Sequence, residues 1–173
     1  MVKSEVLTQW YLDHGADPNA RCDWDVTPLS FAVGNSSLAS IGLMLQGKGD
    51  LRKGQLLHSA LKRTTPDRLA IIDMLVAFGA SINARLFEND PKSWLENSAF
   101  GMSTPLQKAA ELGSVELVEY LLECGSDHRL LNSVGRSALD LARGKGFGVI
   151  AALLEERHSS STTGIAVCLP PSI

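Results

Sequence analysis

A pattern of about 33 residues recurs along this chain, and that recurrence limits the possible fold more than any other feature of the sequence. The best-formed copy opens with Thr-Pro-Leu at 104–106 and ends with Gly-Ser-Asp at 125–127. A matching opening at Ser137 follows Thr104 by 33 residues. Because one unit of this size cannot bury all of its own apolar surface, the sequence predicts a row of units stacked on one another.

The openings and endings of this pattern are found at other positions too. A second Thr-Pro-Leu opening lies at 27–29, and a degenerate opening lies at 55–60. The Gly-x-Asp ending recurs at 15–17, and equivalent endings stand at 48–50 and 79–81. We therefore divide the chain into a half-repeat at 1–20 and four further repeats at about 21–51, 52–84, 101–132 and 133–157.

The best copies carry the residues that begin and end a pair of short helices. The hydroxyls of Thr27 and Thr104 can accept from an unpaired backbone N–H at a helix start, and the prolines that follow suit the first helical position. Gly113 and Gly146 stand between the two helices, where a left-handed backbone favours glycine. The second helix then has an apolar stripe at Leu117, Val118, Leu121 and Leu122.

Residues 104–127 resemble the ankyrin-repeat consensus, and the resemblance extends over nearly all of 5–157. The shared features are the Thr-Pro-Leu opening, the alanine pair at 109–110, the glycine at 113 and the Gly-x-Asp ending. This resemblance implies an all-α fold, an ankyrin-repeat solenoid of stacked helix-turn-helix units with projecting β-hairpin loops. It also implies a binding surface made of the hairpin tips and the concave face of the first helices.

The composition argues against several other functions. A net charge of −3 gives no basic surface for nucleic acid or for an anionic membrane, and no apolar run approaches the roughly 20 residues that cross a bilayer. Three scattered cysteines are typical of a reducing, intracellular setting, cytoplasmic or nuclear. The four histidines have no metal-ligand spacing, and no nucleophile and base can be paired. We expect no catalytic residue, no metal and no cofactor.

The pattern is interrupted in four places. The chain begins in mid-repeat with an apolar helix around Trp10, which indicates either an excerpt of a longer protein or a contact at this end. Only 28 residues separate Thr27 from Gln55, which predicts an abbreviated connection around 47–54. About 16 extra residues lie at 85–100. The tail at 158–173 is expected to be flexible, with docking onto the last repeat as the alternative.

The irregular segments and the first helices supply the candidate contact residues. A tryptophan lies between two aspartates at a predicted projecting turn, and the insertion at 85–100 carries three aromatic residues. Exposed aromatic side chains are favoured binding anchors. The alternative is that these aromatic residues pack on neighbouring hairpins and helices. The candidate set is Asp23, Trp24, Asp25, Phe31, Lys62, Phe87, Trp94, Phe100, Lys108 and Glu111.

These features predict a non-catalytic protein–protein interaction module that binds a protein or peptide partner and is itself a monomer. One alternative is an inhibitor or regulatory subunit that occludes an enzyme through the same surface. Another is a fragment of a larger multidomain protein whose activity lies elsewhere. A fold does not by itself give a function, so the binding prediction rests partly on analogy with the family.

Overall fold

The computed structural model describes residues 2–160, without the side chains of residues 2, 3, 23 and 160. Most of the predicted C-terminal tail, from residue 161 onward, therefore lies outside the described residues. Within 2–160 the chain forms ten α-helices and no β-strand. The helices are α1 (Val2–Asp13), α2 (Pro28–Asn35), α3 (Leu38–Gln46), α4 (Leu56–Leu61), α5 (Arg68–Ala77), α6 (Pro91–Asn97), α7 (Pro105–Leu112), α8 (Val115–Glu123), α9 (Ala138–Lys145) and α10 (Gly148–Ser160).

The chain divides into two compact units, residues 1–81 and 82–173, which we call unit 1 and unit 2. In unit 1, α2 packs on α4 in one layer, while α1 packs on α3 and α3 on α5 in the other. In unit 2, α7 packs on α9 and α8 on α10 in the same manner. Each unit thus has the predicted all-α arrangement of stacked helix-turn-helix pairs.

Three of the first helices, α2, α7 and α9, begin where the sequence predicts, because each of them has a side-chain cap. The backbone N–H of Ser30 donates to Thr27 Oγ1 (3.1 Å), and the Thr27 N–H donates to Ser30 Oγ (2.9 Å). The same reciprocal pair forms at Thr104 and Gln107, with distances of 3.3 and 2.8 Å. These capping boxes satisfy backbone donors that the first turn of a helix leaves unpaired.

The apolar stripes predicted on the second helices form the core of each unit. The four stripe residues of α8 are all buried, and Leu117, Val118 and Leu121 have no exposed surface. In unit 1, Ile71, Ile72 and Leu75 of α5 are equally inaccessible. Burial of a side chain of this size contributes about 1.5–3 kcal/mol, so these stripes dominate the stability of the stacks.

Among the described residues, turns close the projecting loops and no strands form there, so the loops are not the β-hairpins that the sequence predicts. One backbone hydrogen bond closes each of two tips, from Cys22 N to Val26 O (3.0 Å) and from Asn132 N to Arg136 O (2.9 Å). Asparagine side chains join successive loops. Asn19 Nδ2 donates to Lys48 O (2.8 Å), and Asp127 N donates to Asn83 Oδ1 (2.9 Å).

The lengthened turn between α4 and α5 is held by a buried arginine. Arg63 is only 7% exposed, donates to the carbonyl oxygen of Val33 (2.9 Å) and pairs with Asp67 (2.8 Å). These bonds attach the turn to the end of α2. Arg63 and Asp67 therefore have a structural role in this turn.

Gly54 lies in the loop before α4, directly against the capping box of α2. Its φ is +78°, and a Cβ atom there would lie 2.5 Å from Thr27 Oγ1 and 2.7 Å from Ser30 Cβ. Gly135 in unit 2 has the same φ of +78°, but a Cβ atom would meet nothing within 4 Å. Substitutions at these two glycines therefore separate the cost of a left-handed backbone from the cost of steric overlap.

We predict that Gly54→Ala destabilises the protein much more than Gly135→Ala. Both variants place alanine in a left-handed backbone, at a cost of about 1–2 kcal/mol. Only Gly54→Ala adds overpacking, which costs a further ~1–3 kcal/mol. Urea unfolding of both purified variants measures the difference, and equal losses would contradict the proposed role of the Gly54 packing.

Candidate contact surfaces

The tip of the first projecting loop in unit 1 presents Trp24. This residue lies in a 3₁₀ turn at Asp23–Asp25, and its side chain is 58% exposed. Trp24 has φ +63° and Asp25 has φ +52°, so two successive residues other than glycine adopt the left-handed conformation. Each costs roughly 1–2 kcal/mol. Such strain persists only where the surroundings hold the backbone in place.

Asp25 is the residue that holds this tip. It is 2% exposed, pairs with Arg21 Nε (3.0 Å) and accepts from the backbone N–H of Gly54 (3.0 Å) and from Gln55 Nε2 (2.7 Å). The sequence suggested Asp25 as a contact residue, and its burial corrects that prediction. Asp25 positions Trp24 and is not itself available to a partner.

Phe31 on α2 is the second exposed aromatic side chain of unit 1. It is 66% exposed, although Leu29, Ala32 and Val33 on the same helix are buried. Lys62, directly after α4, is also exposed, and α4 packs on α2. The side chain of Asp23 is outside the description. Unit 1 therefore presents Trp24, Phe31 and Lys62 from elements that are themselves well packed.

Helix α1, at the start of the chain, has an apolar face, as its sequence indicates. Val6, Leu7, Trp10 and Tyr11 are each more than half exposed. The Trp10 ring stacks on the His14 ring, with centroids 3.9 Å apart. The opposite side of α1 packs on α3, so this helix is attached to unit 1 and leaves its aromatic stripe uncovered in the described structure.

The insertion at 85–100 combines both arrangements considered from the sequence. Phe87 and Trp94 are half-buried, whereas Phe100 is 79% exposed. Leu95 is 81% exposed but was not among the predicted contact residues, because only the aromatic residues of the insertion were considered as anchors. The helical spacing of α6 gives the missing signal, since adjacent positions such as 94 and 95 point in different directions around a helix. Leu95 and Phe100 together form what we call the insertion patch.

Hydrogen bonds within unit 2 fix the insertion to the repeat. Leu86 N donates to Ser103 O (3.0 Å), and Arg85 Nε donates to Leu131 O (2.9 Å). Ser133 Oγ donates to the carbonyl oxygen of Ser98 and accepts from Met102 N at 2.7 Å. The insertion patch is therefore carried by an anchored segment.

Lys108 and Glu111 on α7 are partly buried and pair with each other. Lys108 Nζ lies 2.9 Å from Glu111 Oε2. Leu112, one residue further along α7, is 47% exposed. These side chains present a mixed polar and apolar face on α7 in unit 2.

A cavity of about 530 Å³ lies among the last loop, α9 and α10 in unit 2. His128 lines it, and its ring meets the ring of His158 edge-on, with centroids 5.5 Å apart. Burial lowers the pKa of His128, and the positive charges of Arg129 and His158 lower it further. Among the described residues, no partner hydrogen-bonds to the buried Nε2 atom of His128.

The residues that the structure describes contain no cluster of His, Cys, Asp and Glu able to hold a metal ion. None of the described helices is long and apolar enough to span a membrane. These two findings apply to residues 2–160.

We predict that Asp25→Ala lowers the free energy of unfolding by about 1–3 kcal/mol, because it removes the acceptor of the buried Gly54 N–H and one hydrogen bond of the half-buried Gln55. Asp25→Asn retains one acceptor oxygen and tolerates the left-handed backbone, so it should cost clearly less. Urea unfolding of the two variants provides the measurement. A loss below about 0.5 kcal/mol in Asp25→Ala, the size usual for surface substitutions, would show that Asp25 does not hold the tip.

We further predict that His128 contributes to loss of stability in mild acid. Because its pKa is lower in the folded chain than its usual value of 6.5, the unfolded chain binds more protons as the pH falls through 6.5. Stability should therefore fall from pH 7 to pH 5, and His128→Gln should reduce that fall. Thermal unfolding across this range tests it, and identical pH profiles for parent and variant would contradict it.

Comparison with known proteins agrees with this geometry. The ankyrin-repeat family model matches residues 103–133, which contain the capped helix α7, the turn at Gly113 and the buried stripe of α8. Among curated proteins, none matches this chain significantly. Ankyrin repeats generally serve in protein–protein interaction, and the family is typically non-catalytic. Residues 103–133 therefore match an ankyrin repeat, and the same helix pairing in both units supports an ankyrin-repeat protein.

Proposed function

We propose that this protein is a non-catalytic module that binds a protein or peptide partner through Trp24 and Phe31 of unit 1. The observation that carries this proposal is their exposure, 58% and 66%, on a held tip and on a helix whose other apolar residues are buried. Exposed aromatic side chains of this kind contribute strongly at interfaces. Lys62 adds a positive charge in the same unit.

The strain at the Trp24 tip supports a contact role. A left-handed tryptophan costs stability, whereas glycine adopts the same backbone at little cost. The buried Asp25 interactions maintain this conformation in the unbound chain. A tip that is ordered before binding loses less entropy when a partner arrives, which raises affinity.

In unit 2 we propose a second contact surface made of the insertion patch, with Lys108, Glu111 and the half-buried Phe87 and Trp94 as further contact residues. Leu95 and Phe100 are the most exposed large apolar side chains among the described residues. They lie on a segment that hydrogen bonds attach to the repeat. A large apolar surface on an anchored segment favours a protein partner.

Photo-crosslinking at single positions tests the unit 1 surface. Benzoylphenylalanine replaces Trp24 or Phe31 in one set of chains and Phe78 in the control, and crosslinked proteins are identified by mass spectrometry. Phe78 is a matched control because it is an aromatic residue of unit 1 that is 46% exposed, outside the proposed surface. We expect one protein to be crosslinked from positions 24 and 31, and not from 78.

Affinity measurements with the identified protein complete this test. Trp24→Ala and Phe31→Ala should each weaken binding at least about tenfold, equivalent to ~1.4 kcal/mol, while Phe78→Ala changes it less than about twofold. Unfolding curves of all three variants serve as the stability control. Equal effects of the three variants on binding, or crosslinking that is the same at all three positions, would overturn the unit 1 surface.

A further inference from the structure

The cavity at the end of unit 2 has an apolar lining and a charged rim. Leu131, Leu139 and Leu154 supply the apolar side chains, from the last loop, α9 and α10 respectively. Leu131 is 47% exposed, and Leu154 is buried. The volume of about 530 Å³ lies within the range of about 300–1,000 Å³ that is usual for small-molecule sites.

The two carboxylates of the rim are already engaged by neighbouring groups. Asp140 accepts from the backbone N–H of Ser137 (2.9 Å) and from its hydroxyl (2.6 Å). Glu155 pairs with Arg143 at 2.7 Å. The hydrogen bonds from Ser137 lower the pKa of Asp140, which keeps it ionised in that arrangement. Both carboxylates therefore already have partners within the protein.

Arg129 and His128 each bring to the same cavity a donor that has no acceptor among the described residues. Among the described residues, no side chain pairs with the guanidinium of Arg129, whose backbone N–H is bound by Asp127 at 2.9 Å. Nearby, the Nε2 atom of His128 is buried without a hydrogen-bond partner in the described chain. A buried polar atom without a partner is rare and costs about 1–3 kcal/mol, so its presence calls for a ligand or solvent group.

We propose that this cavity binds a small carboxylate with an apolar body. The apolar part would lie on Leu131, Leu139 and Leu154, and the carboxylate would accept from Arg129 and from the Nε2–H of His128. A carboxylate matches the planar guanidinium through paired hydrogen bonds, which a neutral or cationic group of the same size does not. This site is separate from the contact surfaces proposed above, so its failure would leave that proposal unchanged.

Nuclear magnetic resonance with three probes of one shape tests the proposal on the full chain. Phenylacetate supplies the apolar acid, 2-phenylethanol its neutral counterpart and phenethylamine its cationic counterpart. Phenylacetate should shift the Leu131, Leu139 and Leu154 methyl resonances saturably, with a Kd of about 1–10 mM for a ligand of this size. The neutral and cationic probes should bind at least about fivefold more weakly, because they lack the charge-assisted hydrogen bonds.

A pair of charge-reversal variants locates the carboxylate. Arg129→Glu should weaken phenylacetate about tenfold, because it replaces the attracting charge by a repelling one. Arg136→Glu changes the net charge equally, on an exposed residue of the same loop that does not line the cavity, and should weaken binding less than about twofold. Both positions are exposed, so neither variant is expected to disturb folding.

Four results would overturn this site. They are no saturable shift with phenylacetate, equal affinity for all three probes, equal effects of Arg129→Glu and Arg136→Glu, and binding only in a chain shortened to end at Ser160. The last result would mean that residues 161–173 prevent ligand binding in the full chain.

Discussion

Close packing between successive first helices is the interaction on which both units depend. Ala32 and Ala60 on α2 and α4, and Ala109 and Ala142 on α7 and α9, are at most 2% exposed. An alanine at these points lets two helix backbones approach closely, and a larger side chain would separate them. The second helices can bury their apolar stripes only when this spacing is maintained. The capping boxes matter for the same reason, since they fix where α2, α7 and α9 begin.

The sequence predicted those parts of the fold that local chemistry determines. Caps at Thr27 and Thr104 involve residues three positions apart, and the left-handed Gly113 and Gly146 follow from the steric freedom of one residue. Helical stripes depend only on spacing. Such features can be inferred without knowing which distant segments meet. Lys48 departs from the glycine pattern, because it lies 33 residues after Gly15, at the equivalent position of the next ending, and adopts φ +71° without being glycine.

The candidate surfaces were harder to predict because they depend on distant partners. Asp25 looks like an exposed loop aspartate until Gly54 and Gln55 are placed beside it, about 30 positions later in the chain. The cavity in unit 2 requires residues from the last loop and from two helices to converge, and no motif in the sequence indicates it. Leu95 was not predicted for a different reason, since only aromatic residues were expected to be exposed in the insertion.

Left-handed residues other than glycine support the proposed contact surface at the Trp24 tip. A generic repeat such as 103–133 uses glycine wherever the backbone is left-handed, and therefore avoids strain. At the Trp24 tip the chain instead places two bulkier residues in that conformation and stabilises them with a buried aspartate. Nothing in the stacking of helices requires a tryptophan there, because its side chain remains largely in solvent. Because this strain reduces stability without improving the core, it supports the proposal that the exposed indole contributes to binding.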